Sequence, residues 1–97
     1  MSPLAEQVAA ANARIGARHD AGAKIHGGFY IAGDDEDPHA LVTCGMHCEV
    51  CEMQVGGAFD LELEPSVEHV ERQLLRQLNE RGCPHAHEIV EREGIAS

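Results

Sequence analysis

Residues 43–64 read TCGMHCEVCEMQVGGAFDLELE. Two patterns overlap in them. The first crowds three of the four cysteines, Cys44, Cys48 and Cys51, around His47. The second alternates apolar and acidic or amide side chains. Cys51, Met53 and Val55 are interleaved with Glu52 and Gln54; after Gly56-Gly57, Phe59, Leu61 and Leu63 are interleaved with Asp60, Glu62 and Glu64. A period of two is the signature of a strand with one buried face. Two such runs joined at a Gly-Gly pair predict a β-hairpin turning there. A two-residue loop would set Met53 opposite Asp60, whereas a three-residue loop or a bulge sets Val55 opposite Phe59 and Met53 opposite Leu61. The second register keeps the apolar set on one face and is the one expected.

The cysteines set the chemistry. A tetrahedral zinc site takes four Cys or His donors, and a C-x2-C or C-x2-H spacing supplies two from one tight turn. Cys48 and Cys51 form one such pair, and Cys44 with His47 overlaps it as another. The remaining donors are expected in GCPHAHE, residues 82–88, where Cys83 precedes Pro84 and is followed by His85 and His87. Cys83 reads as the N-cap of a helix beginning at Pro84. Cys83 and His87 are four apart, the spacing that shares a helix face. The expected ligands are therefore Cys48, Cys51, Cys83 and His87, with Cys44, His47 and His85 as alternates. A knuckle, a hairpin and then donors from a helix N-terminus resembles the layout of treble-clef zinc domains over residues 41–93, although the helix between hairpin and second donor pair departs from that layout. An iron–sulfur cluster on Cys44, Cys48, Cys51 and Cys83 is the alternative, since C-x3-C-x2-C with a distant cysteine supplies four thiolates. Thiol–disulfide exchange at Cys48 and Cys51 would need a strand-then-helix setting that the flanking residues do not predict. A catalytic zinc would need an open position and a general base; Glu49, Glu52 and Glu88 are near in sequence, but four available donors favour a closed, structural ion.

Outward from this segment, PSVEHVERQLLRQLNERG (residues 65–82) predicts an amphipathic helix capped by Ser66. Val67, Val70, Leu74, Leu75 and Leu78 lie on its inner face, and Gly82 follows its end. The following helix turns Ile89 and Val90 inward. KIHGGFYIAG (24–33) predicts a strand with Phe29 and Ile31 on one face, and HALVTC (39–44) a second short strand ending at the first cysteine. The acidic run between them lacks the alternating ligands and glycine of a calcium loop and predicts a solvated turn before Pro38. At the start, Ser2-Pro3 is an N-cap with proline at the first helical position, and Leu4, Val8, Ala11 and Ile15 recur at helical spacing. The narrow, alanine-rich stripe suits either a surface helix or an arm for another subunit.

With 97 residues the chain has room for one domain and a thin core. Its aromatics are Phe29, Tyr30 and Phe59, with no tryptophan, so a staple such as a metal is expected to supplement the core. A net charge of −10 argues against nucleic acid and against an anionic membrane surface, both of which call for clustered Lys and Arg. No run is long enough to span a bilayer, and the first residues lack a cationic start with an apolar core. A cytoplasmic location, or a particle assembled there, is therefore expected, and in a reducing compartment clustered cysteines bind metal more often than they pair. His19, His26 and His39 are expected in exposed polar loops.

These readings combine into a small zinc-stapled α+β domain: an N-terminal helix, a short antiparallel sheet with its hairpin, a long amphipathic helix and a short C-terminal helix. Residues 1–20 form the helical arm and 24–97 the metal-binding unit. The function expected is non-enzymatic: a structural, protein-interaction module, a small subunit of a larger assembly such as a virion or other multiprotein particle. Its partners would be proteins, among them a second copy of the chain.

Overall fold

Proline cannot donate to a preceding carbonyl, which suits it to a first helical turn, and α1 spans Pro3–Asp20. The computed structural model describes residues 3–37 and 39–95, so Ser2, the expected cap, and Pro38 lie outside the described residues. Leu4, Val8, Ala11 and Ile15 are all buried, and the stripe is covered within the chain, mainly by the first strand. The side chain of Asn12 adds a polar clasp, accepting from the Phe29 N–H at 2.8 Å and donating to the Phe29 carbonyl at 3.0 Å. One amide thus satisfies two backbone groups of an edge strand.

The strands are β1 (Ile25–Ala32), β2 (Leu41–Cys48) and β3 (Gln54–Phe59), antiparallel in the order β1-β2-β3. Ile25, Phe29 and Ile31 of β1 stand opposite Cys48, Cys44 and Val42 of β2. Val55 and Phe59 of β3 stand opposite Met46 and Val42. These side chains form the face that the helices cover. The other face carries His26, Tyr30, Thr43, His47 and Gln54, with Tyr30 71% exposed. Asp34 and Asp37 each accept from the amide two residues on, at 2.9 Å, making the acidic run the solvated turn expected of it.

The hairpin differs from the expectation. β3 runs straight through Gly56-Gly57, and Leu61 and Leu63 lie in the turn region before the next helix. The chain reverses instead at Glu49–Met53, where the Cys48 N–H donates to the Met53 carbonyl and the Glu52 N–H to the Cys48 carbonyl, both at 3.0 Å. The pairing is therefore Val55 with Met46 and Phe59 with Val42. The glycines serve close strand approach rather than a turn. A Cβ on Gly56 would lie 2.4 Å from the Cys44 carbonyl oxygen, and one on Gly27 would lie 2.1 Å from that of Gly45. The second strand is correspondingly longer than HALVTC suggests, and it carries Cys44 in its middle.

α2 spans Val67–Glu80, with Ser66 Oγ accepting from the His69 N–H at 3.0 Å. It ends in paired bonds from Gly82 N–H to the Asn79 carbonyl and from Cys83 N–H to the Leu78 carbonyl, the Schellman pattern. α3 spans Pro84–Glu93 and closes on left-handed Gly94. The α+β class, the helix at the start, the antiparallel sheet and the two helices at the end are as the sequence predicts.

Among the described residues the core holds one charged group, Glu71, only 1% exposed. Its Oε1 lies 2.6 Å from Arg14 and its Oε2 2.7 Å from Arg18, and Arg18 also grips Glu93 at 2.6 Å. This network ties α1 to both later helices.

Candidate metal centre

A hairpin turn that begins with a cysteine turns amide hydrogens toward its sulfur. The Cys51 N–H lies 3.3 Å from Cys48 Sγ. Burial opposes ionisation at Cys48, but the Cys51 and Val50 amides, with the Cys83 and Cys51 thiols, bring its pKa below the usual value. Cys51 moves the other way: burial, together with its sulfur neighbours Cys48 and Cys83, pushes it up to about 11. Cys48 and Cys51, this close together, do not both ionise readily without a cation beside them.

The other side of the centre is the junction of α2 and α3. The Schellman turn delivers Cys83, fully buried, as the N-cap of α3 with extended backbone and no side-chain cap bond, so its thiol is free for another partner. His85 is the second residue of α3. Its Nδ1 lies 3.4 Å from Cys48 Sγ and 3.7 Å from Cys51 Sγ. Ligand atoms of Cys48, Cys51, Cys83 and His85 all lie within 4.8 Å of one another. With Zn–S near 2.3 Å and Zn–N near 2.05 Å, a sulfur and a nitrogen on one tetrahedral zinc stand about 3.6 Å apart. The two measured S···N separations bracket that figure. The four side chains are consistent with a metal ion such as zinc.

His87 lies elsewhere. Its Nδ1 is 3.1 Å from Asn79 Oδ1 and its Nε2 3.8 Å from Glu91, at the surface. The four-residue rule fails at Cys83 because both residues must be helical for it to apply, and an N-cap is not. The extended Cys83 backbone swings its Cβ away from the α3 cylinder, and His85, not His87, lies on the side facing the knuckle. Cys44 is also apart. Its thiol donates to the Gly57 carbonyl at 3.5 Å, and burial raises its pKa. Four steps of strand rise separate it from Cys48, about 13 Å, so the four-cysteine set of the iron–sulfur alternative is not brought together. His47 is on β2 next to Cys48, and neighbours on a strand point to opposite faces.

Of the nearby carboxylates, Glu49 meets His19 Nε2 at 2.7 Å and Glu88 meets Arg92 at 2.9 Å. Beside the centre, a cleft of about 300 Å³ is lined in part by Lys24, His85, Glu88 and Arg92. Sequence reading also missed the company His26 keeps. It sits on β1, not in a loop, directly opposite His47. No helix among the described residues is long and apolar enough to cross a membrane. No protein-family model, no curated protein and no solved structure matches this chain.

Proposed function

We propose that this chain is a non-enzymatic zinc-binding module whose ion is structural, and that it acts through protein–protein contacts as a small subunit of a larger assembly. The observation that carries the metal reading is the convergence of Cys48, Cys51, Cys83 and His85 within 4.8 Å. Three sulfurs and one nitrogen would fill the four positions of a tetrahedral ion and leave none for water or substrate, which supports structural rather than catalytic zinc. Soft thiolates with one imidazole favour zinc over magnesium, calcium or manganese. The interaction reading rests on the net charge of −10, which favours a basic protein surface and disfavours nucleic acid.

The test is elemental analysis of protein purified under reducing conditions, followed by chelation. One zinc per chain is expected, with loss of helical circular dichroism when a strong chelator removes it. Metal-free protein that keeps its fold refutes structural zinc; visible absorbance from iron and sulfide would assign an electron-transfer centre instead. Mass spectrometry of what co-purifies with the zinc-loaded chain tests the assembly reading, and a strictly solitary monomer counts against it.

A further inference from the structure

The face of the sheet away from the helices carries two paired histidines, and the end of α1 adds a third beside them. His26 of β1 and His47 of β2 are register partners, with ring centroids 5.6 Å apart and planes at 89°. His19, in the last turn of α1, places its ring 4.9 Å from His26. Three imidazoles from three elements thus form one contiguous patch. Its outer member is anchored: His19 Nε2 meets Glu49 Oε1 at 2.7 Å.

Imidazoles that share an ion have a characteristic spacing. A ligating ring has its centroid about 3.2 Å from the metal, so two rings on one tetrahedral ion stand about 5.2 Å apart, and on one octahedral ion about 4.5 Å. The His19–His26 separation of 4.9 Å lies within that range, and the His26–His47 separation of 5.6 Å lies a little beyond it. The Glu49 contact has a further consequence. A carboxylate on one ring nitrogen fixes the tautomer and leaves the other nitrogen to bind metal, so His19 can offer Nδ1 while Glu49 holds Nε2.

We infer that His19, His26 and His47 form a second site, for a borderline divalent cation such as Zn2+ or Ni2+, with Glu49 as the residue that orients His19. The ligand nitrogens do not converge within 4.8 Å as the thiolate group does, so binding turns these accessible rings inward. An all-imidazole set at the surface binds more weakly than buried thiolates and selects zinc, nickel or copper over magnesium or calcium. The two sites lie back to back through β2, because His47 and Cys48 are adjacent on a strand and face opposite ways. The inference does not depend on zinc at the cysteines, which share no donor with it.

The experiment titrates the full chain, already saturated with one equivalent of zinc, with further Zn2+ and separately with Ni2+. Binding is followed by calorimetry and by the imidazole resonances of 15N-labelled protein. A second equivalent is expected, shifting the rings of His19, His26 and His47 and leaving His39 and His69 in place. His26→Ala and His47→Ala should each weaken it at least tenfold, and His39→Ala should leave it unchanged. A titration in which no equivalent, first or second, shifts the rings of His19, His26 and His47 overturns the inference. So does a second equivalent that persists in the His26→Ala, His47→Ala double variant, or one that moves only other histidines. The ring shifts are read on the unaltered protein, so a misfolded variant does not shield the proposal. Failure here leaves the first equivalent intact, whereas failure of the structural-zinc reading removes that one.

Discussion

His85 and His87 are two residues apart in one helix, and only the first is expected to affect metal affinity. His85→Ala removes a nitrogen that stands 3.4 and 3.7 Å from two of the sulfurs. His87→Ala removes a ring whose partners are Asn79 and Glu91 at the surface. Structural zinc in small domains is bound with an apparent ~10–16 kcal/mol, or roughly 2.5–4 kcal/mol per ligand for four ligands. Water entering the vacated position returns part of that, leaving about 2–3 kcal/mol, or about a hundredfold in Kd. For His87→Ala the loss is one exposed hydrogen bond, about 0.5–1 kcal/mol of folding stability, and no change in Kd. Competition against a chromophoric chelator measures both variants. Co2+ substitution gives a second readout, because exchange of nitrogen for water changes the visible ligand-field bands while the thiolate charge-transfer bands remain. Equal losses in the two variants, or a loss confined to His87→Ala, would refute the assignment of His85 and restore the helix-face argument.

Other perturbations test other parts of the structure. Cys44→Ser should leave metal stoichiometry and affinity unchanged, since its thiol bonds to Gly57; a lost equivalent would revive the four-cysteine reading. Gly56→Ala drives a methyl to 2.4 Å from the Cys44 carbonyl oxygen; backbone cannot yield cheaply, and urea unfolding should show a loss of about 1–3 kcal/mol. Replacing both Arg14 and Arg18 with Ala strands the buried Glu71 carboxylate and should cost about 3–5 kcal/mol, much of it recovered when Glu71→Leu is added. Arg18 holds the Glu93 carboxyl below its usual pKa of 4.5 chiefly through their hydrogen bond. A depressed folded pKa contributes stability above the unfolded value and loses it as pH falls through the folded one. The stability gap between the native chain and Arg18→Ala should therefore hold above pH 4.5 and narrow below it; a gap that widened in acid would contradict the ion pair.

What the sequence disclosed depended on whether one residue type had one physical use. Ser66, Gly82 and Pro84 sit where helix ends demand them, and α2 and α3 could be read from caps and periodicity alone. Gly56 and Gly57 had two uses. Glycine serves a tight turn, but it also serves where two backbones approach too closely for a Cβ, and only the register with β2 shows which applies. Misreading that pair moved the hairpin turn away from the knuckle. In fact the knuckle is the turn, so Cys48 closes one strand and Cys51 sits inside the reversal. The buried Glu71 was hidden for a different reason. Its sequence neighbours Arg72 and Gln73 suggest a solvated helix face, and the arginines that satisfy it come from α1, more than fifty positions away.

The thin core and the metal centre are parts of one energetic argument. α1 is held by its apolar stripe, by Asn12 on the edge of β1 and by the Glu71 network. α3 rests on α2 through Ala86, Ile89 and Val90, and it meets the sheet at His85 with Cys48 and Cys51. An ion there would join the knuckle to the start of α3 and close a loop of about thirty residues, which by analogy with a disulfide removes roughly 3–4 kcal/mol of chain entropy from the unfolded state. Fully burying one large apolar side chain contributes about 1.5–3 kcal/mol. One such cross-link would therefore stand in for one or two of the aromatics this chain lacks, before the direct binding energy is added. It would do so at α3, the element with the least apolar attachment to the sheet. A domain built this way could keep its surface acidic and its core small, because the helix that packs on α2 rather than on the sheet is the one the ion would tie to the sheet.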